Sequence, residues 1–335
     1  MRRRFSLCSA IALIASTVGV MTAAPVAASA TVTYSGRGIA FSGSVAGVAT
    51  GFADTLPLPS SGGHQTASSI SAGLPSLLGG DTLHASAFGQ NDRTRTEAAA
   101  SSIAITTGSE TITADFAMSR AMAVSSHGAP VLSGSSQVSN LVVNGVPIAV
   151  TGVANQLVSL PSGDLVVNEQ ISSTSGATGS ITVNALHLTL TDGTDLLVSS
   201  SRAGVTAGSS NCASFRQPTT GGGWIIGQST GKGTFGLSAR PTANGFHGHV
   251  VYKDHGTGTR IHGPVTLYQE FGNGALLQGP ATQNGQSVGN FIVEIQDNGE
   301  PGNSDTFSIT TESMPPHAAG GPLQGGNIQM HKPCK

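Results

Sequence analysis

Charge is scarce in this 335-residue chain: 10% of it is Asp, Glu, Lys or Arg, against roughly 25% in an ordinary soluble domain. Aromatic residues are scarce too, at 4%, with a single tryptophan and three cysteines. Each shortage excludes something. Fifteen basic against 17 acidic residues leave no basic face for a nucleic acid. The Ala, Glu, Lys, Leu and Arg of a coiled coil or helical bundle do not recur at a helical period. A net charge of −2 is too small for charge-driven disorder. Beyond the N-terminal segment no run reaches about 18 apolar residues, so no membrane span is expected in the mature chain. What is plentiful is glycine, 46 residues, together with serine and threonine. The composition fits a β-rich, turn-rich chain, and by itself it names no ligand.

Residues 1–30 read as a signal peptide. Arg2, Arg3 and Arg4 precede an apolar stretch from Phe5 to Val20, and Ala28-Ser29-Ala30 supplies a small-residue cleavage pattern. Cleavage is expected after Ala30. Arg2-Arg3-Arg4-Phe5 partly matches the twin-arginine signal, so both that route and the general secretory route stay open. Cys8 lies too early for a lipoprotein cysteine. The end of the chain, Ile328 to Lys335, shows no apolar tail or sorting motif, and a secreted product without a C-terminal anchor is expected. Processing leaves 15 − 3 = 12 basic residues against 17 acids, a mature charge of −5. Such a protein should avoid non-specific binding to anionic surfaces. The two remaining cysteines, Cys212 and Cys334, bracket the last third. Outside the cytosol a disulfide between them is expected, in the chain-entropy account worth up to about 4–5 kcal/mol.

The mature chain reads as strands and turns throughout. Residues 31–202 are expected to form an N-terminal β-rich domain, 203–210 a linker and 211–335 a C-terminal β-sandwich domain. The fold class is therefore all-β, two sandwich or barrel-like domains with little or no helix outside the signal peptide. Ile112, Ala114 and Phe116 alternate with polar residues as in a half-buried strand. From Ile181 to Leu190 both parities are apolar, which predicts an interior strand buried on two faces. Hairpin turns are expected at Gly108-Ser109, Asn144-Gly145, Asn244-Gly245, Asn273-Gly274, Asn284-Gly285 and Asn298-Gly299.

Several motifs imitate catalytic signatures. Gly227-Gln228-Ser229-Thr230-Gly231 fits G-x-S-x-G, but a nucleophile elbow needs a helix after the serine, and turn then strand is expected there. Gly231 to Gly236 fits G-x-G-x-x-G and likewise lacks a following helix. His247 and His249 share a strand face, with Asp254, His255 and His262 following; zinc needs three or four such ligands to converge. Asp297 to Asp305 is an oxygen-rich loop suited either to calcium or to an Asx-type turn. Asp115, Asp164 and Glu169 are the sparse acids of the N-terminal part, and the aromatics that would flank a sugar cleft are few.

A resemblance rests on particular segments. Leu56-Pro57-Leu58-Pro59-Ser60-Ser61-Gly62-Gly63, Leu83-His84-Ala85-Ser86, Thr111 to Phe116, Leu141 to Gly145 and Thr182 to His187 resemble the bacterial choice-of-anchor P proteins. The last third resembles the β-domain that often follows. The resembling segments are Gly221-Gly222-Gly223-Trp224-Ile225, Asp254-His255-Gly256, Asp297 to Gly302, Asp305 to Ile309 and Gly325 to Lys332. The resemblance implies export and variable anchoring and carries no catalytic residues.

These readings converge on an exported, non-enzymatic protein. It is a surface or matrix module whose partner is a protein or glycan of the cell envelope, with no cofactor, no metal and no nucleic acid. Two alternatives remain open at the level of sequence: a secreted metal-dependent hydrolase using His247, His249 and His255, and a calcium-stabilised scaffold.

Overall fold

The computed structural model describes residues 31–208, 218–242 and 244–331. The signal peptide with Ala30, and both Cys212 and Cys334, lie outside the described residues. The protein is all-β, as expected: every regular element among the described residues is a strand.

The chain opens with β1 (Thr33–Val45) and β2 (Val48–Asp54). A second sheet follows from β3 (Gly63–Leu74), β4 (Leu78–Gln90), β5 (Arg93–Thr106), β6 (Thr111–Ser126) and β7 (Ala129–Ser139). The short β8 (Val142–Val143) and β9 (Val146–Pro147) complete it. The chain then returns to the first sheet with β10 (Gln156–Leu160), β11 (Gly163–Ser175), β12 (Thr178–Leu190) and β13 (Asp195–Thr206). The first sheet has the order β10-β11-β12-β13-β1-β2. The second runs β3-β4-β5-β6-β8-β9, with β7 also on β6.

The third sheet contains β14 (Thr219–Ile226), β15 (Lys232–Thr242), β16 (Gly245–Asp254), β17 (Arg260–Pro264) and β18 (Leu267–Phe271). It continues through β19 (Gly274–Gln283), β20 (Gln286–Gln296), β21 (Thr306–Thr311), β22 (Ala318–Pro322) and β23 (Gly325–Met330). Its order is β22-β21-β20-β19-β17-β16-β15-β14-β23, with β18 on β19. It curls into a half-barrel, and Phe235 of β15 stacks on Phe307 of β21 at 4.0 Å across its interior. Residues 203–206, expected as linker, are instead the end of β13, with Ala203 and Val205 buried. Their small side chains read as a linker by composition, but pairing to β1 and β12 on both sides makes them central.

The first two sheets pack face to face around Phe41, Leu83, Ile103, Ile112, Leu165, Leu186 and Val198. Toward one end hydroxyls replace hydrocarbon: Ser119 donates to Ser201 at 2.7 Å, and Thr94 to the Gly204 carbonyl at 2.7 Å. Glycine permits this close approach, since a Cβ on Gly38 would lie 2.8 Å from the Glu97 carbonyl oxygen.

The two-faced pattern of 181–190 has a different cause from the one expected. Ile181 and Val183 are buried, and so are Ala185, Leu186, Leu188 and Leu190, yet all face the same sandwich interior. The pairing of β12 with its neighbours skips Ala185, beside Asn168 of β11 and Ser199 of β13. Those two residues have φ of +54° and +51°. This row of irregular positions leaves the register on either side unchanged but shifts side-chain parity by one residue, so one face takes apolar residues of both parities. His187 is thereby turned outward. The turns at Asn144-Gly145 and Asn284-Gly285 form as expected, with all four residues at positive φ. The turn expected at Asn273-Gly274 sits one residue earlier, because Phe271 pairs with Gly274.

Candidate functional site

The second sheet is covered on its other face by the third, and the joint between them gathers most of the molecule's unusual chemistry. Alternation along β4, β5 and β6 sends His84, Glu97, Arg95 and Arg120 to this side, while Leu83, Ala98 and Ala121 go to the sandwich. A bulge at Thr82 (φ +51°) turns both Asp81 and Thr82 toward the joint. The apolar part is small: Trp224 packs on Ala99, Phe116 and Met118. Phe88 lies 4.4 Å from His331, ring to ring.

The rest is polar. Lys253 of β16 pairs with Asp81, and Lys232 of β15 reaches Asp115 of β6 at 2.8 Å while lying 4.5 Å over the Trp224 ring. Thr82 and Thr234 hydroxyls are 2.7 Å apart. Asn327 donates to Glu97 at 3.3 Å, and the Gly326 amide donates to Gln137 at 2.9 Å.

Burial controls the ionisable groups here, because taking a charge out of water costs more than a partial set of contacts returns. His84 accepts or donates at Nδ1 with the Ser68 hydroxyl at 2.8 Å. Burial, helped by nearby His249, pulls it down to about 4. His64 is pulled to about 3 by burial, with Arg240, His84 and His247 adding to the effect. His331 is lowered by burial as well. Glu97 goes the other way: burial raises it to about 7, against the pull of Arg120 and Arg95. Its Oε2, His64 Nε2, His84 Nε2, His249 Nδ1 and Asn327 Oδ1 are buried without a protein partner.

At the margin of the joint Arg95 and Arg120 flank the carboxylate of Glu300, at 3.4 and 2.8 Å. With Met122, Ser133 and Ser135 they line a cleft of about 260 Å3.

The residues singled out in sequence fall elsewhere or serve other ends. His247 and His249 share the joint-facing side of β16, and His249 stacks on His262 at 6.1 Å. His255 bonds Thr234 instead, beyond the end of β16. Six residues separate it from His249, up to about 20 Å of extended chain. The three histidines therefore do not converge. Among the described residues no group of three or more His, Cys, Asp or Glu is placed to hold a metal ion. In the 297–305 loop, Asp305 accepts the amides of Asn298 and Ile328, and Asp297 those of Gly299 and Met330. The loop is thus tied to β23 by its own carboxylates. Burial lifts Asp305 to about 6 despite those amides.

Asp254 is buried and accepts amides from Gln228, Gly256 and Thr257. Ser229 sits in the turn between β14 and β15, so G-x-S-x-G spans a hairpin. In G-x-G-x-x-G, Gly233 lies against Tyr252 and Gly236 against His84. Asp115, Asp164 and Glu169 stay apart. Asp164 is exposed, and Glu169 and Asp195 clamp His187 at 2.9 and 3.0 Å on the outer face of the first sheet. Burial lowers the His187 pKa, but the two carboxylates outweigh it and the net shift is upward.

Sequence reasoning passed over Arg95, Glu97 and Arg120, and took Glu300 only as part of the oxygen-rich 297–305 loop. One signal was there: Arg93, Arg95 and Glu97 alternate at period two in a chain with little charge. No family model, curated protein or solved structure matches the chain. Among the described residues no helix is long and apolar enough to cross a membrane.

Proposed function

We propose that this is an exported, non-enzymatic protein that acts by binding a component of the cell envelope or matrix. The observation that carries the reading is the use made of its scarce chemistry-bearing side chains. Glu97, Asp81, Lys253, Lys232 and Asp115 bond one sheet to another, and His84 packs against Gly236 of the facing sheet. Asp254, Asp297 and Asp305 hold backbone amides. Groups engaged in this way fix the shape of a body and its outer surfaces. The signal-like N-terminus and the resemblance to choice-of-anchor P proteins support export.

A Cys212–Cys334 disulfide belongs to the same reading. Its support is that Pro218, the first described residue after Cys212, and His331, the last before Cys334, are paired: the His331 amide donates to the Pro218 carbonyl at 3.0 Å. Mass spectrometry of the exported, unreduced protein should find no free thiol.

The test of function is a pull-down of the exported protein against cell-envelope fractions, together with a glycan array. Saturable retention of an envelope component is expected. Turnover of ester, peptide or glycoside substrates by the purified protein, without such retention, would overturn the reading.

A further inference from the structure

The Arg95–Arg120 cleft is built for an anion that the fold only partly supplies. The two arginines come from adjacent strands of one sheet, and their side chains are 16% and 20% exposed. A guanidinium carries five N–H donors. Arg120 uses one on Glu300, and Arg95 makes one long contact to Glu300 and one to the Met122 sulfur. Neither has another hydrogen bond among the described residues. Most of the donors therefore meet no protein acceptor among the described residues, and such forks match a carboxylate bidentately.

Glu300 meets them from the third sheet, on the 297–305 loop, and its side chain is 46% exposed. Exposed ion pairs of this kind hold weakly. It is a tethered carboxylate that a free one can displace.

The other walls indicate what carries the anion. Ser135 lies opposite Arg120 and Ser133 opposite Met122 across the β6–β7 ladder, placing two hydroxyls and a thioether beside the guanidinium groups. The volume, about 260 Å3, falls below the roughly 300–1,000 Å3 of drug-sized pockets, and suits one sugar-sized unit. We infer that this cleft binds an acidic saccharide, its carboxylate or sulfate held by Arg95 and Arg120 and its hydroxyls by Ser133 and Ser135, with Glu300 as the built-in competitor. The inference rests on the proposed binding role and names its ligand class.

The experiment is calorimetric titration of the exported full chain with polygalacturonate, a sulfated polysaccharide, neutral dextran and poly-glutamate. Binding of an acidic polysaccharide but not of dextran is expected, weakening with salt. The preferred polymer distinguishes carboxylate from sulfate. Arg120→Gln should weaken binding by roughly ten-fold or more, the loss of one charge-assisted contact. Glu300→Gln should strengthen it several-fold, a gain that misfolding does not imitate. Poly-glutamate bound more tightly than either polysaccharide would overturn the saccharide assignment. No acidic polymer bound, or an affinity indifferent to both variants, would overturn the site. An envelope component still retained in the pull-down would then leave the proposed function standing on another surface.

Discussion

A Cβ placed on Gly236 would lie 2.6 Å from Cβ of His84. The imidazole of the second sheet enters a depression left by two paired glycines of the third, Gly222 and Gly236. Gly236→Ala is therefore expected to destabilise by about 1–3 kcal/mol, the usual cost of overpacking. Gly222→Ala, whose new methyl would stand 3.3 Å from Ala99 and 3.8 Å from His84, should cost less. Urea midpoints of the two variants test the ordering. Equal midpoints would contradict the packing.

Glu97 should make the protein weaker as pH rises. Its folded pKa of about 7 lies above the ordinary 4.5, so the folded state holds the proton more tightly. Stability is full below the lower value and falls as pH climbs through the window between the two. At about 1.4 kcal/mol per unit the loss is on the order of 3 kcal/mol. Glu97→Gln should remove that slope and raise stability on the alkaline side. An unchanged pH profile of unfolding would show that the carboxyl is not held neutral.

His84 acts in the opposite direction. Its folded pKa of about 4 lies below 6.5, so its contribution is present above 6.5 and is lost as pH falls through that window. His84→Asn keeps a polar atom for Ser68 while removing the titration. It should lower the pH of acid unfolding. Trp224 emission is the readout, since the only tryptophan packs inside the joint. The same midpoint in variant and parent would assign acid unfolding elsewhere.

The Lys253–Asp81 pair is 13% and 19% exposed, enough burial that removing one partner strands the other. Lys253→Met and Asp81→Asn should each cost about 1–3 kcal/mol. The double variant should cost less than the sum, with a coupling of about 1 kcal/mol. Additive costs in a double-mutant cycle would mean that the two charges act independently.

Much of the strand map could be read along the chain. Asn144-Gly145 and Asn284-Gly285 are local instructions, because left-handed backbone at both turn positions favours those residues whatever surrounds them. The alternation of Ile112, Ala114 and Phe116 held only in part: Ile112 and Ala114 face the sandwich, whereas Phe116 packs with Trp224 in the joint, because the ladder skips Asp115 beside Ser102 of β5. The 181–190 run was harder, since its parity change depends on Asn168 and Ser199 in neighbouring strands. The candidate site was harder still. Arg95 and Arg120 meet Glu300 only because the third sheet lies on the second, about 200 residues apart in sequence for the Arg95 contact.

Composition and local pattern alone therefore determined an all-β chain of low charge and the hairpin turns at Asn144-Gly145 and Asn284-Gly285. Those properties follow from backbone preference and side-chain periodicity, which act over a few residues. The tertiary structure decided which polar groups lose water. His84 and Glu97 are ordinary residues in sequence. Burial under the third sheet moves their proton affinities in opposite directions, because desolvation penalises whichever form is charged.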